Sequence, residues 1–241
     1  MPLPKIATPT YELELPSTGQ TITYRPFLVK EEKLLVLAME SEDTKSITRA
    51  IKEVLKSCIK TKVKVEALPT FDIEYLFLNI RGKSVGEEVD VSVTCPDDGV
   101  TPVEVSIPID EIRVEKSKDH NDTIRLDDTL SMKMKYPSLD QFIQTNFDLE
   151  NTKGGTQLEQ SFEMIGSCID TIYSEDEAWP ASDSTKKEIS EFLEQLSSTQ
   201  FQQIEKFFET MPKLSYEVSV TNPKTKKKST VTLEGLASFF A

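Results

Sequence analysis

The strongest constraint on the fold is a pair of alternating segments on either side of a tight turn. Apolar residues occupy every second position from Val89 to Val93 and again from Val103 to Ile107. Between them lies the sequence Pro-Asp-Asp-Gly, at residues 96–99. Period-two alternation around such a turn is typical of a β-hairpin that buries one face. Because an isolated hairpin is only marginally stable, we expect this face to pack against another part of the chain.

A second strong hairpin is predicted close to the C-terminus, where Leu214–Val220 and Ser229–Leu233 flank the turn residues 222–225. The N-terminal segment also alternates around a turn at Pro16–Gly19 and predicts a further hairpin. Short strands are expected at residues 112–114, 123–126 and 131–136.

Helical periodicity marks much of the remaining chain. The clearest example is residues 46–59, where apolar residues recur every three or four positions. Another helix is expected at residues 70–81, with Thr70 as its N-cap and either Gly82 or Gly86 beyond its end. The other predicted helices span residues 29–39, 138–143, 157–172, 185–195 and 198–211.

Helices and hairpins follow one another in blocks along the sequence, which is typical of the α+β class. We therefore expect an α+β fold of amphipathic helices with several antiparallel β-hairpins. The blocks are an N-terminal hairpin plus helices at residues 1–86, a β-rich segment at 87–136, and a helical region with a C-terminal hairpin at 137–241. We expect the three segments to form one composite structural unit.

The charge balance limits the class of partner. The chain holds 41 Asp and Glu against 28 Lys and Arg, for a formal net charge of −13. Neutralising phosphates needs a surplus of Lys and Arg, which argues against a general nucleic-acid binder and against adsorption to an anionic membrane. The apolar run Leu34–Met39 is far shorter than a membrane span, and the N-terminus shows no pattern of a secretory signal.

Few residues are suited to catalysis or to metal binding. The three cysteines, Cys58, Cys95 and Cys168, are widely spaced, which argues against a disulfide framework and favours synthesis in the cytoplasm. The one histidine, His120, lies in a polar stretch, and we expect it to be a solvated loop residue. We therefore predict no catalytic residue, no bound metal and no cofactor.

Acidic clusters and one lysine run each have an ordinary and a functional interpretation. Asp97 and Asp98 would suit a hard cation, but hairpin chemistry explains the pair as turn residues. The clusters at residues 127–128 and 175–177 are interpreted as solvated faces, and a small hydrolase that uses an acidic pair is the alternative outside the structural class. The lysines of residues 224–228 form either a solvated hairpin tip or a surface for an acidic partner.

Three segments resemble a known family more specifically than any motif above. Phe71–Glu87, Tyr24–Leu35 and the closing Thr232–Leu236 are similar to the baseplate hub family of contractile-tailed bacteriophages of the T-even type. These segments bracket nearly the whole chain. The resemblance implies a late phage protein that takes part in building the central hub of the tail baseplate and carries no catalytic residues.

The resemblance further implies a non-enzymatic protein that acts through protein–protein contacts with other baseplate hub or tail proteins, among them the tape-measure protein. The charge balance argues against nucleic acid as a partner, and the sequence predicts no membrane span. One hypothesis is a structural hub subunit that stays in the tail baseplate of the virion. The other is a transient assembly chaperone for the hub or tape-measure protein in the host cytoplasm. The net charge of −13 favours the chaperone hypothesis slightly, because a chain of this charge repels other copies of itself and could shield a basic or apolar client protein.

The candidate partner-binding residues lie on the second hairpin, at the apolar terminus and on the helix at residues 70–81. They are Tyr75, Phe77, Lys224, Lys226, Lys227, Lys228, Leu236, Phe239 and Phe240. The ordinary interpretation of Tyr75 and Phe77 is that they are core residues, because a helix that is apolar on more than one face is usually buried.

Overall fold

The computed structural model describes residues 6–41, 44–138 and 157–239, which contain six α-helices and eleven strands in small antiparallel sheets. The predicted α+β class is confirmed. The helices are α1 (Val29–Glu40), α2 (Thr44–Cys58), α3 (Thr70–Val85), α4 (Gln157–Ser167), α5 (Lys186–Glu194) and α6 (Ser198–Thr210). The strands are β1 (Tyr11–Glu14), β2 (Thr21–Tyr24), β3 (Glu88–Thr94), β4 (Pro102–Pro108), β5 (Arg113–Glu115), β6 (Thr123–Arg125), β7 (Ser131–Met134), β8 (Ile169–Tyr173), β9 (Ala178–Pro180), β10 (Lys213–Thr221) and β11 (Lys228–Glu234).

The chain divides into two compact units. Unit 1 draws on Met1–Val65, Phe71–Glu115 and Lys213–Ala241, and unit 2 on Glu66–Thr70 and Lys116–Pro212. Each unit has its own buried apolar cluster.

The core of unit 1 is a small two-sheet arrangement. One sheet is the hairpin β3–β4, and the other has the strand order β11–β10–β5. The register of the first hairpin pairs Val91 with Val105, as the alternation predicts, so that the apolar side chains of both strands share one face. The apolar faces of both sheets, together with Leu78 of α3 and Phe239, form one buried cluster. Both strongly predicted hairpins are therefore present, and β5 adds a third strand to the second one.

Helix α3 is buried along most of its length. One glycine inside it allows close packing, and a second glycine follows its last residue. The helix runs through Gly82, where an added Cβ would lie 3.1 Å from the Cδ1 atom of Ile109. It ends before Gly86, whose φ of +156° lies in a region that L side chains rarely adopt. The sequence allows the helix to end before Gly82 or before Gly86, and in the structure it ends before Gly86.

Unit 2 combines the sheet β6–β7–β8–β9 with helices α4, α5 and α6. The sequence predicts a helix over residues 157–172, but α4 ends at Ser167 and Ile169–Tyr173 forms β8 between β7 and β9. The β-branched Ile169, Thr171 and Ile172 suit an extended backbone in a central strand, and the strand pairing outweighs the helical spacing of the apolar residues. The helix predicted from Ser138 to residue 143 lies, beyond Ser138, outside the described residues.

Helices α5 and α6 begin with the capping chemistry that their sequences contain. Thr185 caps α5 in a reciprocal capping box with Glu188, and Ser197 caps α6 in the same way with Gln200. The two predicted helices at 185–195 and 198–211 are confirmed to within a residue or two at each end.

Candidate interaction site at the hairpin turns

The turn between β3 and β4 is closed by its own backbone. The Cys95 N–H donates to the Thr101 carbonyl at 2.8 Å, and the Gly99 N–H donates to the Cys95 carbonyl at 2.9 Å. Gly99 has φ +68°, a left-handed conformation that favours glycine. Asp97 and Asp98 therefore occupy a hairpin turn, as hairpin chemistry predicts. Within the described residues, no group of three or more His, Cys, Asp or Glu side chains could hold a metal ion.

The turn between β10 and β11 is organised around Asn222, which is fully buried. Its side-chain oxygen accepts the Lys224 N–H at 2.8 Å and the Thr225 N–H at 3.3 Å. The Lys226 N–H donates to the Asn222 carbonyl at 2.9 Å, and Lys226 itself has φ +63°. The backbone that carries the lysine run is therefore held in one defined turn.

The two turns are joined through Asp97. The Asn222 side-chain amide donates to Asp97 Oδ1 at 2.9 Å, and the Thr225 hydroxyl donates to the second carboxylate oxygen. The bond from Thr225, followed by that from Asn222, holds the pKa of Asp97 below its usual value. The pKa of Asp98 is lowered mainly by the Thr101 hydroxyl and then by Asn222. Sequence analysis did not find this link, because each turn is complete in its own local chemistry.

Four lysines project from this joined pair of turns. Lys224, Lys226, Lys227 and Lys228 are all exposed, and none of them forms an ion pair with a described residue. Asp97 and Asp98 lie close by, but their oxygens accept hydrogen bonds from uncharged groups. The result is a local positive surface on a chain of net charge −13, held on a rigid turn. We call residues 224–228 the lysine tip.

The structure places the remaining candidate residues differently. Phe77 and Phe239 are 3% and 1% exposed, so both rings are already buried. Tyr75 is partly buried and lies against the same apolar cluster. The side chain of Leu236 and all of Phe240 lie outside the part of the chain that the structure describes. Contact of these apolar residues with a partner therefore stays a prediction, and the lysines are the candidates that are shown to be exposed.

The expectation of a solvated His120 is wrong. Its ring stacks on Tyr136 with 5.6 Å between centroids and lies 5.2 Å from the ring of Phe207. Its Nδ1 atom lies 3.0 Å from the Thr210 hydroxyl, and Nε2 lies 2.9 Å from the Tyr136 hydroxyl. The polar residues around His120 in sequence gave no signal of this, because Thr210 and Phe207 come from α6.

The three thiols lie in surroundings that disfavour the reactive thiolate. All three cysteines are buried, and burial raises the pKa of both Cys58 and Cys168 to about 11. Burial also raises the pKa of Cys95. Each thiol is therefore protonated at neutral pH and acts as a small apolar group.

Exposed apolar side chains that sequence analysis did not single out lie on α1 and β9. On α1, Val29, Val36 and Leu37 are 79%, 49% and 54% exposed, and Trp179 on β9 is 42% exposed. Scattered exposed apolar residues are common on soluble proteins and assign no site by themselves. No helix in the described ranges combines the length and apolarity that crossing a membrane requires.

Comparison with known proteins gives a match to a protein family. A family model described as T4 bacteriophage base plate protein matches residues 8–241. No curated protein and no solved structure matches the chain. Because the match spans nearly the whole sequence, as the resemblance of the three segments implied, this chain belongs to the T4 bacteriophage base plate protein family and is a baseplate protein of a T4-type phage.

Proposed function

We propose that this protein is a non-enzymatic structural subunit of the central hub of the baseplate, and that it acts through contacts with other hub or tail proteins. Membership of the baseplate family implies partners among phage tail proteins and a place in the virion tail. The observation that carries the mode of action is the lysine tip, an exposed positive surface whose backbone is held by Asn222 and Asp97. The three buried, protonated thiols agree with a role that lies in the surface and not in catalysis.

The lysine tip is suited to an acidic surface on a neighbouring hub protein. Its ammonium groups have no described carboxylate partner, so binding would not have to break an existing ion pair. Charged groups at the rim of an interface raise the rate of encounter more than they raise affinity. Because the turn is already ordered, binding also costs little loop entropy.

Charge reversal tests this contact. Lys224→Glu, Lys226→Glu and Lys227→Glu in one variant should slow association with the co-expressed hub proteins by about tenfold and weaken its salt dependence. The matched control reverses Lys60, Lys62 and Lys64, which are also exposed, and should change association little. Association rates are measured over a range of salt concentrations. Equal effects of the two triple variants would remove the lysine tip from the interface.

The presence or absence of this protein in the mature virion distinguishes a hub subunit from a transient assembly chaperone. A structural subunit should be present in purified virions at a fixed ratio to the other hub proteins. Quantitative peptide counting by mass spectrometry measures that ratio. Absence of the protein from virions, together with its presence in tail-assembly intermediates, would favour the chaperone.

A further inference from the structure

Among the described residues, no strand pairs with the outer edge of β11, and the register of β11 with β10 defines which backbone groups lie along that edge. The Asn222 N–H donates to the Lys227 carbonyl at 2.9 Å, and the Gly235 N–H donates to the Leu214 carbonyl at 2.9 Å. In an antiparallel pair, residues alternate between facing the neighbouring strand and facing away. The backbone groups of Ser229, Val231 and Leu233 therefore face β10. Those of Lys228, Thr230, Thr232 and Glu234 face away, and their N–H groups have no backbone partner among the described residues.

This edge lacks the protection that two other edge strands, β4 and β9, have. β4 carries Pro102 and Pro108 at its ends, and β9 has three residues and ends on Pro180. β11 has seven residues with no proline, and its register with β10 is uninterrupted. A long, regular edge without such devices is a template for another strand.

The exposed side chains along the edge are self-complementary. In chain order they are Lys228, Thr230, Thr232 and Glu234. An antiparallel copy of the strand centred on Val231 would set Thr230 opposite Thr232 of the second copy and Lys228 opposite Glu234 of the second copy. Twofold symmetry makes each of these two pairs occur twice. Threonine pairs and opposite charges are favourable cross-strand neighbours.

We propose that β11 pairs with β11 of a second copy of this chain, antiparallel and centred on Val231, and so joins two three-stranded sheets into one continuous sheet. Lys228 has no described ion pair, and Glu234 has one, with Lys213 at 3.5 Å on its own sheet. The net charge of −13 on each copy opposes the pairing, but at physiological ionic strength it is screened beyond a Debye length of about 8 Å. The proposal is independent of the hub assignment.

The first test is the mass of the full chain in solution, measured by sedimentation equilibrium over a concentration series at physiological ionic strength. The wild type should form a dimer. Lys228→Glu places two carboxylates opposite each other in both reciprocal pairs and should weaken the dimer by about tenfold. Glu234→Lys should weaken it similarly, and the double exchange should restore it. Lys227→Glu, which changes the net charge as Lys228→Glu does but whose backbone faces β10, should have little effect.

A thiol test measures the register. The native cysteines are buried, so introduced cysteines are the accessible thiols. An equimolar mixture of Thr230→Cys and Thr232→Cys chains should give more crosslinked dimer under oxidising conditions than either variant alone. Thermal melting of each variant shows whether the hairpin is still folded.

Three results would overturn the proposal. They are a monomeric wild type over the whole series, a dimer insensitive to both single charge changes, and no excess crosslink in the cysteine mixture. A monomer whose β11 edge binds an acidic extended peptide would assign the edge to another tail protein and also overturn it.

Discussion

At the scale of single residues, the surroundings of His120 favour a neutral imidazole. The Thr210 hydroxyl donates its hydrogen to the Lys206 carbonyl at 2.7 Å, so it accepts from Nδ1–H of the histidine. Nε2 is then left to accept from the Tyr136 hydroxyl. Protonation would turn Nε2 into a donor, and the Tyr136 hydroxyl would then have to accept instead of donate. Burial, with a smaller contribution from Lys116, lowers the pKa of His120, while Asp122 opposes the shift.

This lowered pKa predicts a loss of stability in mild acid. The folded state binds the proton of His120 more weakly than the unfolded chain does, so the stabilisation is fully present above pH 6.5 and is lost as the pH falls below it. The difference in free energy of unfolding between wild type and His120→Gln should therefore shrink below pH 6.5. Urea unfolding followed by Trp179, the one tryptophan and a residue of unit 2, measures it. A constant difference across this pH range would show that folding does not lower the pKa of His120.

At the scale of elements, two aromatic residues of α3, Tyr75 and Phe77, differ in how far they are buried. Phe77 is 3% exposed, whereas Tyr75 is only partly buried against the cluster of unit 1. Their spacing of two residues places them on different sides of the helix. A helical pattern that is apolar all round predicts burial but not which ring is the more enclosed.

Truncating these two rings should have unequal effects on stability. Phe77→Ala should lower the free energy of unfolding by about 3–5 kcal/mol, because it removes a fully buried ring and leaves a cavity. Tyr75→Ala should cost less, because part of its ring is already in water. Urea or thermal unfolding of the full chain gives both values. If either variant lost partner binding at unchanged stability, that residue would belong to the interface and not to the core.

At the scale of the whole molecule, the longer of the two unit 2 segments leaves unit 1 and returns to it at paired positions. Residues 116–212 belong to unit 2, and the flanking Glu115 and Lys213 are partners in the β5–β10 register. The sheet of unit 1 thus holds both ends of the inserted segment side by side. Its apolar cluster contains no residue from the insertion.

This arrangement predicts that unit 1 survives removal of the insertion. Replacing residues 116–212 by an Asn-Gly turn should let β5 and β10 form a direct hairpin, because a two-residue turn suits paired antiparallel strands. We expect cooperative thermal unfolding, measured by circular dichroism, with strand content retained. A matched variant that carries Phe77→Ala should melt at a lower temperature. A non-cooperative transition in the shortened chain would mean that the two units depend on each other to fold.

Local chemistry in the sequence was sufficient to determine the hairpins, the capped helices and the exposed lysine tip. Alternation of Val89, Val91 and Val93 needs only neighbouring residues to define a buried face, and Thr185 and Ser197 cap helices within three residues. The lysines follow a turn that Asn222 begins. The same short-range rules explain why residues 169–172 are wrongly predicted to be helical. Their apolar residues fit either a helix or a strand, and the neighbouring strands that decide between the two are distant in sequence.

Only the tertiary structure decided which distant residues meet. Asp97 lies 125 positions from Asn222, and His120 lies 90 positions from Thr210. The same holds for the free edge of β11, which exists because β5 pairs with the opposite side of β10. Periodicity along a chain specifies which face of an element is apolar, but the choice of what covers that face depends on the summed burial of many elements. Long-range polar pairs such as Asp97 with Asn222 follow from that choice.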